Sequence, residues 1–283
     1  MVNKVDCNPL IVTGIHRSGT SLLSKILENQ NIFFGKYKDV NNESIFFQNI
    51  NNLIMSMNNS SWDNPRAMLV NNSVDIILEK VKLILDSKIN YKYFGLNSIV
   101  KKRNFNQIVY NWGWKDPRNI FTLPLWLKIF PNAKVIILVR HPYDVVNSLI
   151  HRNKIEKKKI NLNIRQFIPS FLISLLPINR FSNKNSKHLD TFEEGMKLYE
   201  QYYLEINKLK LKFENSIYLI RYEDLVINPD ATIENICKYY DIKVSKKNIK
   251  FLETISKERA YNFKSMENIE FAKYDKKLKN YGY

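Results

Sequence analysis

Three apolar runs along the chain show no polar alternation: Leu10–Thr13, Val135–Val139 and Ile217–Ile220. A strand with one wet face alternates apolar and polar residues. An uninterrupted run belongs to a strand buried on both faces. Between the runs, apolar residues recur at helical spacing. Leu22, Leu23, Ile26 and Leu27 predict a helix from about Gly19 to Glu28. "IFFQNINNLIMSM" predicts a second, and Val74, Ile77, Leu78, Val81 and Leu85 a third. Another helix begins near Tyr143, and a short aromatic stretch, Tyr110–Trp114, runs like a strand into a charged turn. Buried strands separated by helices make an α/β fold, with a central, mostly parallel sheet in a three-layer α/β/α arrangement.

Residues 156–190 break this pattern, with an apolar centre, Phe167–Leu176, between basic flanks. The centre is shorter than the ~20 residues of a spanning helix. It reads as a lid or insertion packed on the body, or as an interfacial helix in peripheral contact with a membrane surface. No internal repeat and no Gly/Pro-rich linker divides the chain, which holds only 7 Gly and 9 Pro in 283 residues, so a single domain over 1–283 is expected. The N-terminus lacks the apolar core of a signal peptide, so the expected location is cytoplasmic, at most at the inner face of the membrane. Cys7 and Cys237 stand in no motif, which argues against a disulfide framework and a Cys-ligated metal site. The formal charge of +17, from 44 Lys and Arg against 27 Asp and Glu, favours an anionic partner without choosing one.

Three stretches narrow the choice. In "TGIHRSGTSLL" a strand passes through a glycine turn into a helix, the arrangement that offers backbone N–H groups to an anion. A Walker A loop places Lys directly after its second glycine; here Thr20 follows Gly19, and the positive charge sits earlier, at Arg17. Thr20 and Ser21 add hydroxyl donors. In "VIILVRHPYDVVNSLIHR" the buried strand ends at Arg140, and Ser148 follows eight residues later on a helix. The two can close on a second phosphate beyond the carboxyl end of the sheet, or Arg140 can simply pair with Asp144. In "GWKDPRN", Lys115, Asp116 and Arg118 form either a surface turn or the wall of a cleft.

Together these residues resemble the sulfotransferases that use 3′-phosphoadenosine-5′-phosphosulfate (PAPS). That family carries a Lys or Arg before Ser-Gly-Thr on a strand–loop–helix element, and an Arg at a strand end with a Ser eight residues on. "WGWKDPRN", "FPNAKVIILVRHPYDVVNSL" and "IRYEDLVINP" look like a bacterial branch, and the likeness covers roughly residues 8–245. It implies a P-loop-like fold. It implies that His16, Arg17, Ser18, Gly19, Thr20 and Ser21 hold the 5′-phosphosulfate and that Arg140 and Ser148 hold the 3′-phosphate. The co-substrate is then PAPS, the nucleotide product is adenosine 3′,5′-bisphosphate (PAP), and no metal is required.

The resemblance also implies that Arg17 and Lys115 are catalytic, Lys115 by likeness to the Lys-Asp-Pro motif of tyrosyl-protein sulfotransferases. Glu43 is favoured as general base, with Asp39 and His16 as alternatives; a helix-capping role for Glu43 stays open. Asp116 is expected to orient Lys115 or Arg118. Tyr222 lies near the adenine or in the core. "SKERAYNFKS" offers Lys257 and Arg259 but lacks the glycine of the family's C-terminal nucleotide loop. Relatives of this branch point to a cell-surface glycan, a glycolipid or a lipid-linked precursor as acceptor, while a small metabolite fits equally. The rival classes are a P-loop-type nucleotide kinase, a basic nucleic-acid-binding protein and a catalytically dead glycan binder. The first lacks its Lys and a metal-holding carboxylate at the ends of the runs at 135–139 and 217–220. The second shows no helix-turn-helix, zinc or RNA-recognition signature. The third is disfavoured by the intact Arg17, Lys115, Arg140 and Ser148.

Overall fold

A computed structural model describes residues 8–65, 74–101, 103–158, 186, 188–244, 256–265 and 271–283. Four parallel strands form one sheet: β1 (Leu10–Gly14), β2 (Gly113–Lys115), β3 (Lys134–Val139) and β4 (Ile217–Arg221), in the order β2-β1-β3-β4. Val12 pairs with Lys115 on one side and with Ile136 on the other, and Val139 pairs with Arg221. The main helices are α1 (Thr20–Asn29), α2 (Ile45–Met57), α3 (Val74–Asp86), α4 (Asn119–Ile129), α5 (Pro142–Lys158), α6 (Phe192–Lys212), α7 (Tyr222–Ile227) and α8 (Pro229–Tyr240).

The absence of polar alternation has the expected cause. Successive side chains of a strand point to opposite faces, and here both faces are dry. Leu10, Val12, Ile136, Leu138 and Ile220 pack under α1, α7 and α8. Ile11, Val135, Ile137 and Val139 pack under α2, α4, α5 and α6. The first strand and helix lie within a residue of their predicted bounds. The aromatic stretch forms β2 because its rings have a place to go. Trp114 stacks on Phe47 of α2 at a centroid separation of 3.9 Å, and the Tyr93 hydroxyl donates to the carbonyls of Phe33 and Gly113 at 2.9 and 2.7 Å.

The predicted lid or insertion at 156–190 lies for the most part outside the described residues, as does Cys7. Its two margins are described. Asn153 Nδ2 donates to the carbonyls of Ser186 and Leu189, at 3.1 and 3.0 Å, so the chain leaves α5 and returns to α6 at one place. Cys237 is a buried free thiol. Among the described residues no helix is long and apolar enough to cross a membrane.

The α5–α6 contact depends on Gly195. A Cβ there would stand 2.4 Å from Cγ1 of Val146, a branched, fully buried side chain that cannot swing away. Gly195→Ala gains up to ~1 kcal/mol of helix propensity, yet overpacking of about 1–3 kcal/mol outweighs it. A lower urea midpoint is expected for this variant, and an unchanged or higher midpoint contradicts the packing argument.

Candidate active site

In open parallel sheets, ligands bind beyond the carboxyl ends of the strands, where the chain connections diverge. In the order β2-β1-β3-β4 that point lies between β1 and β3. All four strands deliver a cation to this edge: Arg17 just beyond β1, Lys115 as the last residue of β2, Arg140 directly after β3 and Arg221 as the last residue of β4.

The β1–α1 loop is shaped for close approach. Arg17 and Gly19 both sit in the left-handed region, with φ of 72° and 96°. Arg17 holds a conformation that costs a non-glycine residue ~1–3 kcal/mol. Gly19 is required: a Cβ would meet the Tyr222 ring at 2.3 Å. No side chain caps α1, so its first N–H groups lack the usual partner, and the Ser18 hydroxyl is buried without one. Thr20 is buried in the first turn. The Ser21 hydroxyl donates to the Asn41 carbonyl at 2.7 Å and accepts from Lys115 Nζ at 3.3 Å.

The two expected phosphate elements touch. Arg17 Nε donates to Ser148 Oγ at 2.9 Å. Arg140 lies 4.5 Å over the Tyr222 ring, and one of its terminal nitrogens donates to Asp144 at 3.1 Å and to the Arg259 carbonyl at 2.9 Å. The ion pair with Asp144 therefore exists, but it does not exhaust Arg140, whose Nε is buried and unpartnered. Burial and the Arg140 charge push the Arg17 guanidinium down from its ordinary value. Two guanidinium groups with buried, unused N–H and O–H donors between them suit an anion. Tyr222 is buried against Gly19 and Arg140 and forms the wall of this corner. Lys257 and Arg259 contribute the Arg259 carbonyl, and their side chains are exposed.

A second cluster lies at the end of β2. Glu43, 3% exposed, accepts from Lys115 at 3.3 Å, Arg118 at 3.1 Å and Gln48 at 2.5 Å. It precedes α2, but its carboxylate turns inward to these cations, so it does not cap the helix. Asp116 is fully buried and accepts from the Arg118 guanidinium and Asn51 Nδ2, both at 2.9 Å, so it orients Arg118. Asn51 is the hub: its Oδ1 accepts from Thr122 and Trp126, both at 2.8 Å, and its Nδ2 also donates to Asn119 at 2.8 Å. Burial pushes Glu43 up, but Lys115 and Arg118 overcome it and hold the carboxyl at about 2. Burial pushes Asp116 up to about 6, with Arg118 opposing and Glu43 adding to the rise. Asp39 is engaged in the turn, where Oδ1 accepts from the backbone N–H of Asn41 and of Glu43 at 2.9 Å.

His16 stands edge-on to Trp62 at 4.8 Å, and its Nε2 is buried without a partner. Burial first, then Arg118, Arg152 and Lys115, hold it well below an ordinary imidazole, so it is neutral at physiological pH. The structure thus brings His16, Glu43 and Lys115 into one charged neighbourhood and Arg17 to Ser148. Sequence reasoning missed Asn51, Gln48, Trp62 and Arg152. Only Arg152 carried a signal, lying four residues after Ser148 and so on the same helix face. Among the described residues no group of three or more His, Cys, Asp or Glu is placed to hold a metal ion.

The model of the sulfotransferase family (Sulfotransfer_3) matches residues 9–246. No curated protein sequence matches the chain. The structure is similar to the sulfotransferase domain from the curacin biosynthetic pathway, at 15% identity and a TM-score of 0.52, over 96% of this chain and 97% of that one. Weaker likenesses are to sulfotransferases from Mycobacterium tuberculosis (15%, TM-score 0.48, covering 90% and 73%) and Alicyclobacillus acidocaldarius (14%, TM-score 0.45, covering 83% and 81%). At these identities the likeness concerns the fold: a parallel four-stranded sheet flanked by helices, the P-loop-like sulfotransferase architecture.

Removing the Glu43 charge leaves Arg118 with Asp116 alone and Lys115 with no carboxylate among the described residues. Glu43→Gln is expected to cost about 3–5 kcal/mol at pH 7. A carboxyl held below its unfolded value adds stability above that value and loses it as pH falls through the folded one. The gap between wild type and Glu43→Gln in urea unfolding should therefore be full at pH 7 and narrow as pH falls from about 4.5 to about 2. A gap independent of pH refutes the assignment.

Proposed function

We propose that this chain, which belongs to the sulfotransferase family, transfers a sulfuryl group from PAPS to a hydroxyl or amine of an acceptor and releases PAP. The observation that carries this reading is the corner built by Arg17, Ser18, Arg140 and Ser148. Arg17 donates to Ser148 there and feels the charge of Arg140, and two buried donors, Ser18 Oγ and Arg140 Nε, have no partners. Buried polar atoms are rarely left unsatisfied, and an anion with two separated oxyanion ends satisfies both.

Bound PAPS would supply an activated sulfuryl group and a phosphate leaving group. The chain's residues divide the remaining work. Arg140 and Ser148 receive the 3′-phosphate. Arg17, the first N–H groups of α1 and the hydroxyls of Ser18, Thr20 and Ser21 receive the 5′ end, with His16 behind them. Lys115 reaches the loop through Ser21, placed to neutralise charge gathering on the leaving oxygen. The acceptor oxygen bonds to sulfur as the sulfur–phosphate oxygen bond breaks, and the acceptor proton passes to a base. Glu43 is the first candidate because it is ionised at any working pH. The cations that keep it ionised also make it a weak base, so neutral His16 is the second candidate.

The acceptor we propose is a cell-surface glycan, a glycolipid or a lipid-linked precursor. The support is the basic surface, with a net charge of +17. Transfer in the cytoplasm or at the inner face of the membrane, by one domain over 1–283, accords with this reading.

Calorimetry tests the donor site. PAP should bind wild type in preference to ATP·Mg²⁺, and Arg140→Ala should lose about 2–5 kcal/mol of PAP affinity. A clear preference for ATP·Mg²⁺ would return the loop to the kinase reading. Lys115→Ala should lower kcat by about 10²–10³-fold with PAP affinity little changed. An equal loss in both would make Lys115 a binding group alone.

A further inference from the structure

Arg152 is not used by this chemistry, yet it is held in the same neighbourhood. It lies one helical turn beyond Ser148 on α5, about 6 Å further from Arg140 along the axis. Its guanidinium sits 4.7 Å over the ring of Trp62, which is 7% exposed. The Arg152 Nε is buried without a partner, and among the described residues no carboxylate makes an ion pair with it. Burial lowers the Arg152 guanidinium to about 10, Arg17 adds to the effect and Glu43 opposes it. An aromatic face returns ~0.5–2 kcal/mol, which does not offset a shielded cation repelled by Arg17 and Arg118. Trp62 is itself fixed: its carbonyl accepts from the buried Tyr202 hydroxyl at 2.8 Å, and its ring meets His16, whose Nε2 is the second buried, unpartnered atom here.

The donor does not account for Arg152. Arg140 with Ser148, and Arg17 with the loop, serve the two charged ends of the nucleotide. Arg152 lies past Ser148, where its charge is felt by Glu43 and His16, the two groups proposed to take the acceptor's proton. We infer that Arg152, with Trp62 beneath it and His16 beside that ring, is the seat for an oxyanion carried by the acceptor, a carboxylate or phosphate close to the hydroxyl that is sulfated. This rests on the sulfotransferase reading and narrows it to acceptors that are already anionic. A planar guanidinium offers a carboxylate or phosphate a forked pair of donors, so the seat fixes orientation as well as affinity.

The test uses the full chain saturated with PAP and three probes: methyl glucoside, methyl glucuronide and methyl glucoside 6-phosphate. Binding is read by calorimetry. At least one charged sugar should bind wild type about tenfold or more tightly than the neutral one. Arg152→Gln should abolish that preference, Arg152→Lys should keep part of it, and PAP affinity should be unchanged in both. Because Arg152→Gln removes an uncompensated charge, its Tm should be unchanged or raised. No advantage for either charged sugar, whether all three bind equally or none binds, overturns the inference. So does a preference that survives in Arg152→Gln. A loss of PAP affinity in Arg152→Gln assigns Arg152 to the donor, and a fall in Tm with no change in preference assigns it to the core; either overturns the acceptor role. Failure of wild type to bind PAP refutes instead the sulfotransferase reading on which the inference rests.

Discussion

Glu43 is the counterweight on which the charged edge of the sheet depends. A parallel sheet points every carboxyl end the same way, so the cations at the ends of its four strands gather on one side and repel one another. Lys115 is 1% exposed and Arg118 is 7% exposed, a burial that no cation sustains without a partner. Glu43 supplies that partner to both, and Asp116 supplies a second one to Arg118. The arrangement raises the Arg118 guanidinium far above its ordinary value, with the two carboxylates overcoming burial, so it remains a fixed cation. Asn51 then pins Asp116 to α4 through four hydrogen bonds of its own. Positive charge is balanced on the β2 side of the edge and left in excess on the β1–β3 side.

That division separates the paired charges from the donors proposed to hold the ligand. On the β2 side every carboxylate oxygen of the cluster has a donor. In the β2 cluster Arg118 Nε and Asn119 Nδ2 are unmatched, and on the β1–β3 side four atoms are: Ser18 Oγ, His16 Nε2, Arg140 Nε and Arg152 Nε. Each costs free energy, and together those on the β1–β3 side follow the path from Arg140 past Arg17 to Trp62. The left-handed Arg17 belongs to the same account. Strain and unsatisfied donors on one loop are stored where binding can release them. Helix α5 carries Ser148 and Arg152 on one face, so one rigid element sets the spacing between the proposed donor contacts and the proposed acceptor seat.

Much of this was legible in the chain. The apolar runs specified a parallel sheet because burial on both faces leaves no other reading. The placement of the loop, Arg140 and Ser148 at one edge of the sheet was legible because it depends on local spacing along a strand–turn–helix. The Arg140–Asp144 pair was legible too, four residues apart on one helix entry. The second cluster was legible only in part. Lys115, Asp116 and Arg118 stood out as three charges in four residues, but Glu43 reaches them across 72 and 75 positions. No periodicity records such a contact. Asn51 was invisible for the same reason: an Asn in "NNLIMSM" has no local cue, and its role comes from packing α2 against α4. Trp62 and Arg152 meet across ninety positions of sequence, and only the i, i+4 relation to Ser148 hinted at either.

The C-terminal tail shows how a missing motif can be replaced by packing. "SKERAYNFKS" has no glycine to wrap backbone around a phosphate, and it lies beyond residue 246, where the family match ends. The tail nevertheless fixes the cation at the end of β3. The Arg259 carbonyl accepts from Arg140, and the Phe263 N–H donates to Asp144 at 2.7 Å, the same carboxylate that holds Arg140 from the other side. Phe263 stacks on His141 at 3.9 Å, and the Tyr283 hydroxyl donates to Glu223, which in turn accepts from the His141 N–H. An arginine oriented by its neighbours loses less rotamer entropy when it grips an anion. A glycine loop would add donors of its own. The described residues of this tail aim the donors already there, so the phosphate affinity proposed for Arg140 depends on the residues that hold it.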